Sequence, residues 1–303
     1  MKNMLTTLLL LIFVSCAFGW GGDTHRGMTK AAVHAIFGVD STIVNLSFKV
    51  AYDPDAYIAT TVLMGFGGNY SPLATFAGLV LDETYVDSKL TIDTTWVYKN
   101  ITADSMFTEA GQDPDDIDNE TGLAGDGKVL LGHMYTPNGI GYADQMTQYF
   151  YDKAVDAYTK KNNKYLAFAY LGLASHYFED AFIPFHVESY YLDVDNLMFQ
   201  LNAHSAVESW TSNNWNSLFQ KEAEKAAKYP MPVCDIAATV RSMALETYWD
   251  TTPMMKAWGV SAGSGQPKDL ERFKQLVNKE IWRCLPRISG MYLKFKEDVN
   301  YQP

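Results

Sequence analysis

His176-Tyr177-Phe178-Glu179-Asp180-Ala181-Phe182-Ile183-Pro184-Phe185-His186, followed eighteen residues later by His204-Ser205-Ala206-Val207-Glu208, is the stretch that decides how this chain reads. Twice a histidine precedes a carboxylate by four residues, a spacing that stacks both side chains on one face of a helix. His186 lies between the two pairs, just after Pro184, where a helix cannot run on cleanly. One such pair alone is commonly a surface ion pair or a core hydrogen bond. Two pairs with a further imidazole between them, in a run as apolar as 165–173 and 182–185, point to metal, because buried charge needs a partner or an ion. Three of the six histidines of the chain are in this stretch.

Upstream, residues 1–19 have the form of a secretory signal peptide: Lys2, an apolar run over 5–14, and Ala17-Phe18-Gly19 as a small-x-small cleavage site. The run is too short to span a bilayer. Lipoprotein processing at Cys16 is the rival, but Phe13-Val14-Ser15 matches poorly what normally precedes such a cysteine. Cleavage after Gly19 would make Trp20 the N-terminus of a secreted or periplasmic protein. Cys234 and Cys284 would then remain, either as one disulfide or as two buried thiols, too few for a cysteine-based zinc site.

A content of 48% hydrophobic and 14% aromatic residues is that of a packed chain. The net charge of −11 argues against an electrostatic grip on duplex nucleic acid or on strongly anionic membranes. It leaves room for an anionic substrate held through metal ions.

The remaining histidines divide. His25 opens a helix that Asp23 or Thr24 can cap, close to the amine of Trp20, and Gly38 ends that helix. His34 reads as an ordinary packed or surface histidine, and His133, before a turn at Pro137, means little by itself. The acidic loop Asp113-Pro114-Asp115-Asp116-Ile117-Asp118-Asn119-Glu120 reads as solvated surface or a cation loop, without the glycine and terminal glutamate of an EF-hand. Residues 51–100 are the least legible: 71–81 suit a helix, and 91–98 alternate like a short strand or an extended loop. From 142 onward, apolar residues recur at threes and fours and predict helices over 142–160, 164–180, a segment carrying His204 and Glu208 toward 225, 236–249 and 270–295. Breaks fall at 161–163 and 229–232, and a loop at 261–266. No boundary divides the core.

Together, Trp20, His25, an acidic loop then His133, His176-x-x-x-Asp180-x-x-x-Pro184-x-His186, and His204-x-x-x-Glu208 resemble the zinc-dependent phospholipase C superfamily, which also contains zinc nucleases that cut single strands. The resemblance is strong over 133–208 and 20–25 and weak elsewhere. Five of the six histidines fall on ligand positions. It implies an all-α fold, a single multi-helix domain over 20–303 with 51–100 as an insertion, and three zinc ions in a cleft. It further implies one zinc on His133, His176, Asp180 and Asp116, with Asp115 as runner-up for the last. A second would lie on Trp20, His25 and a shared Asp180, and a third on His186, His204 and Glu208. The implied catalytic residues are Asp116, which would orient or deprotonate the attacking water, and Asp180, which would bridge two ions.

The chain departs from the family in having Glu179 where glycine usually precedes the bridging aspartate, and Ile183 where glutamine usually precedes the proline. Neither is a ligand, but the hydrogen bonds behind the metal would differ. The longer interval between His25 and Asp116 suggests that 51–100 covers the cleft or meets a membrane. Glu208 as last ligand resembles the phospholipases, whereas the short step from Trp20 to His25 resembles the nucleases. The expected activity is that of a monomeric phospholipase C releasing a phosphorylated headgroup from phospholipid, with transient contact at a membrane surface. A single-strand nuclease/3′-nucleotidase is the alternative, and a zinc-binding protein without turnover a lesser one.

Overall fold

A computed structural model describes residues 21–39, 44–51, 80–81, 92–93, 133–137, 139, 141–187, 197–259 and 265–302. Trp20, the acidic loop with Asp115 and Asp116, residues 1–19 with the expected signal peptide, and most of 51–100 lie outside the described residues.

The buried centre of the described chain is one helix. Asn163 accepts a hydrogen bond from the Leu166 amide and so caps the start of Lys164–Asp180. Every residue from Leu166 to Asp180 is buried, so this helix is apolar on nearly all sides and needs neighbours all round. In chain order the helices are α1 (Gly21–Phe37), α2 (Leu46–Val50), α3 (Ala143–Thr159), α4 (Lys164–Asp180), α5 (Leu197–Asn214), α6 (Gln220–Ala226), α7 (Ile236–Tyr248), α8 (Thr251–Trp258) and α9 (Leu270–Asp298). Helix α3 packs along α4 as the other arm of a hairpin, and α1, α2 and α9 cover its remaining faces. Phe150 stacks on Tyr177 across the hairpin, ring centroids 5.7 Å apart. Ser47 ties α2 to α4 by donating to the Phe168 carbonyl. The hairpin turns at Asn162, in the left-handed region that asparagine tolerates.

The described residues are thus helical apart from one short ribbon, Val80–Leu81 antiparallel to Ile92–Asp93. Val80 and Leu81 therefore correct the reading of 71–81 as a helix at its last two positions. Ile92 and Asp93 fall within the alternating segment 91–98.

Three boundaries also differ from those that spacing predicts. Helix α1 begins at Gly21, so Asp23 and Thr24 lie inside it and neither is its cap. Asp23 still favours the first turn through the helix dipole, and its amide donates to Ser212 Oγ. The helix ends, as predicted, at Gly38, which takes φ +86°. Helix α5 passes into α6 through a π turn, Trp215–Phe219. A Cβ on Gly27 would meet Trp215 Nε1 at 1.9 Å, so α1 and this turn touch only because residue 27 has no side chain. Helix α8, over Thr251–Trp258, falls where spacing predicts no helix.

Candidate metal centre

Helix α4 delivers the first two groups. His176 and Asp180 sit one turn apart with Nε2 and Oδ2 separated by 3.3 Å. His176 Nδ1 donates to the Ala51 carbonyl at 2.8 Å, which leaves its Nε2 lone pair facing Asp180. Helix α1 brings His25 against the same face. Its ring lies 4.2 Å from that of His176, and its Nε2 is 3.7 Å from Asp180 Oδ1.

The turn before α3 brings His133, whose Nδ1 lies 2.8 Å from Asp180 Oδ2 and 3.0 Å from His176 Nε2. The turn after α4 brings His186, with Nδ1 3.3 Å from Asp180 Oδ1. These two turns brace each other, because the Tyr135 amide donates to the His186 carbonyl. Thr251 at the start of α8 braces the second turn again by donating to the Pro184 carbonyl. Helix α5 closes the arrangement. His204 and Glu208 pair one turn apart, Glu208 Oε1 lies 3.6 Å from His186 Nε2, and the His204 ring stacks on Phe185.

All seven side chains are buried. Burial, and then the neighbouring His176, holds His25 well below the usual imidazole value. Burial does the same to His204 and lowers His133 to about 4. Burial alone would raise the Asp180 carboxyl, but the imidazoles of His176, His133 and His186 hold it well below the usual carboxylate range. A metal binds the neutral form of an imidazole and the ionised form of a carboxylate, so the lowered values of His25, His133, His204 and Asp180 all favour the ligating form.

Among the described residues, two sets satisfy the distance requirement for a shared ion: His25, His176 and Asp180, and His186, His204 and Glu208, with ligand atoms within 4.8 Å of one another in each. Bonds of the length zinc makes to nitrogen and oxygen give a tetrahedron with edges of about 3.3 Å. The His176–Asp180, His25–Asp180 and His186–Glu208 separations of 3.3, 3.7 and 3.6 Å are close to that edge. Asp180 Oδ1 and His186 Nδ1 are buried without a hydrogen bond, which leaves them suited to an ion. The residues present fit a metal ion.

Of the nine ligands expected from the sequence, the structure brings together His25, His133, His176, Asp180, His186, His204 and Glu208. Trp20 and Asp116 lie outside the described residues. The resemblance puts His25 and His176 on different ions that share Asp180, whereas in the structure both lie in one set with it. His34 stays apart, bonded to Asn45 at 2.8 Å. Cys234 is exposed, Cys284 buried, and the two are not bonded to each other.

At Glu179 the sequence predicts altered hydrogen bonds behind the metal but not their partners. Glu179 accepts from Thr29 Oγ1 at 2.7 Å and lies 2.6 Å from His25 Nδ1. The available signal was a glutamate in the middle of a run with no solvent-facing position. No protein-family model matches the chain, and no curated protein matches it.

Proposed function

We propose that this chain is an exported zinc-dependent phosphodiester hydrolase, of the phospholipase C kind, that releases a phosphorylated headgroup from phospholipid. One observation carries the reading: side chains from α1, the turn before α3, α4, the turn after α4 and α5 converge on Asp180 and Glu208 in a buried cluster of five imidazoles and two carboxylates. Residues 25–208 are far apart in sequence, and packing alone gives no reason to bury so many titratable groups together.

His25, His176 and Asp180 would hold one ion, His186, His204 and Glu208 another, and His133 would join the first through Asp180. Zinc held by these residues would lower the pKa of a bound water to about 7 and would offset charge on the phosphoryl oxygens. The chain supplies the rest. Asp180 stays ionised because imidazoles surround it, and it joins the two sets through its contact with His186. The two pinned turns hold His133 and His186 fixed, so little reorganisation is needed when substrate arrives. Asp116 is assigned the proton of the attacking water.

A single-strand nuclease is the second reading, favoured by the five-residue step from Trp20 to His25. Headgroup release from phosphatidylcholine vesicles and cleavage of single-stranded DNA, assayed in parallel with the zinc-loaded chain, separate the two. Headgroup release above any nuclease activity is the expected result. The reverse order selects the nuclease, and zinc binding with neither activity reduces the chain to a zinc-binding protein.

A further inference from the structure

Glu179 and Asp180 are consecutive, yet both face the His25 ring, from opposite ends. Glu179 Oε2 lies 2.6 Å from Nδ1, within the range of a charge-assisted hydrogen bond. Asp180 Oδ1 lies 3.7 Å from Nε2, too far for a hydrogen bond and near the edge length of a metal tetrahedron. The other Glu179 oxygen is held at 2.7 Å by the hydroxyl of Thr29, one turn beyond His25 on α1. Glu179, His25 and Thr29 are fully buried, so no water competes for these contacts. The carboxylate is therefore clamped by two side chains of one helix face, and only one imidazole tautomer suits it. Nδ1 carries the proton and donates it to Glu179, and the Nε2 lone pair points at Asp180.

We propose that Glu179 is a positioning residue for the metal: it fixes the tautomer of His25, raises the basicity of Nε2, and so tightens the ion held by His25, His176 and Asp180. This rests on the metal-hydrolase reading above, but it concerns a residue outside the ligand set. A carboxylate behind a ligating histidine acts through the ring rather than on the metal, and its loss typically weakens binding by ~10–100-fold. Thr29 belongs to the same device, because without its hydroxyl a buried carboxylate loses a donor.

The test compares the wild-type chain with Glu179→Gln and Thr29→Val. Zinc is titrated against a competing chelator, and the histidine ring nitrogens are followed by ¹⁵N NMR in the metal-free chains. In wild type, His25 should show the Nδ1-protonated tautomer. In Glu179→Gln it should show a mixture, and one zinc should bind ~10–100-fold more weakly while the ion on His186, His204 and Glu208 keeps its affinity. Thr29→Val should weaken the same ion by a smaller factor, ~3-fold or more, and carries the comparison if Glu179→Gln does not fold. Folded variants that bind every ion with wild-type affinity would overturn the role of Glu179, as would an Nε2-protonated His25 in the metal-free wild type. If wild type itself takes up no zinc, the functional reading fails first, and that arm alone reports it.

Discussion

Asp180 lies within 4 Å of four imidazoles, those of His25, His133, His176 and His186, and no other described carboxylate has that position. Asp180→Asn keeps the shape and removes the charge that holds the cluster together. Its turnover should fall by more than the ~10–100-fold typical of residues behind the ligands, with zinc lost and helical circular dichroism retained. Full turnover in that variant would remove Asp180 from the mechanism. At this scale the sequence was informative where chemistry is local. The His176–Asp180 and His204–Glu208 pairs are legible because four residues make one helical turn. The role of Glu179 is not, because its partner His25 is 154 positions away and nothing in the spacing links them.

Helices position these residues, and their contacts set how firmly. The contact between α1 and the π turn depends on Gly27, where an added Cβ would overlap the Trp215 ring. Gly27→Ala should destabilise the chain by about 1–3 kcal/mol, seen as a lower urea midpoint. An unchanged midpoint would mean that the π turn yields freely. Behind the His186 turn, Arg283 on α9 bonds Glu280 and Asp250, Lys279 bonds Asp250, and Thr247 bonds Glu280. Burial pushes the Glu280 carboxyl up to about 8, against the pull of Arg283. The folded chain thus keeps a proton there that the unfolded chain, with an ordinary value of 4.5, gives up. The contribution of this group is full below that value and declines as pH rises toward 8. In the metal-free chain, Glu280→Gln should flatten the fall of the urea midpoint across this window, and an unaltered slope would contradict the assignment. Helix α4 is legible to the residue because Asn163 caps it and Pro184 follows it. Helix α8 is not, because Thr251-Thr252-Pro253 reads as a turn, although proline is tolerated in a first helical turn. The π turn leaves no mark in the apolar spacing.

Over the described residues, helices and turns from α1 to α5 bury a cluster of five imidazoles and two carboxylates against an apolar core. That the chain is helical could be read from periodicity. That its histidines meet could not, because no local spacing encodes a contact between α1 and α4. That expectation came from the order of the motifs and their likeness to a zinc-hydrolase pattern. No helix among the described residues is long and apolar enough to cross a membrane. On the proposed reading, a net charge of −11 favours bound cations for holding an anionic phosphodiester.

The most direct test of this account is the zinc content of the purified chain, measured beside that of Asp180→Asn. At least two ions per wild-type chain are expected, one for each His/carboxylate set, with a clear loss in the variant. A folded wild-type chain that carries no zinc and takes up none when it is supplied would contradict it.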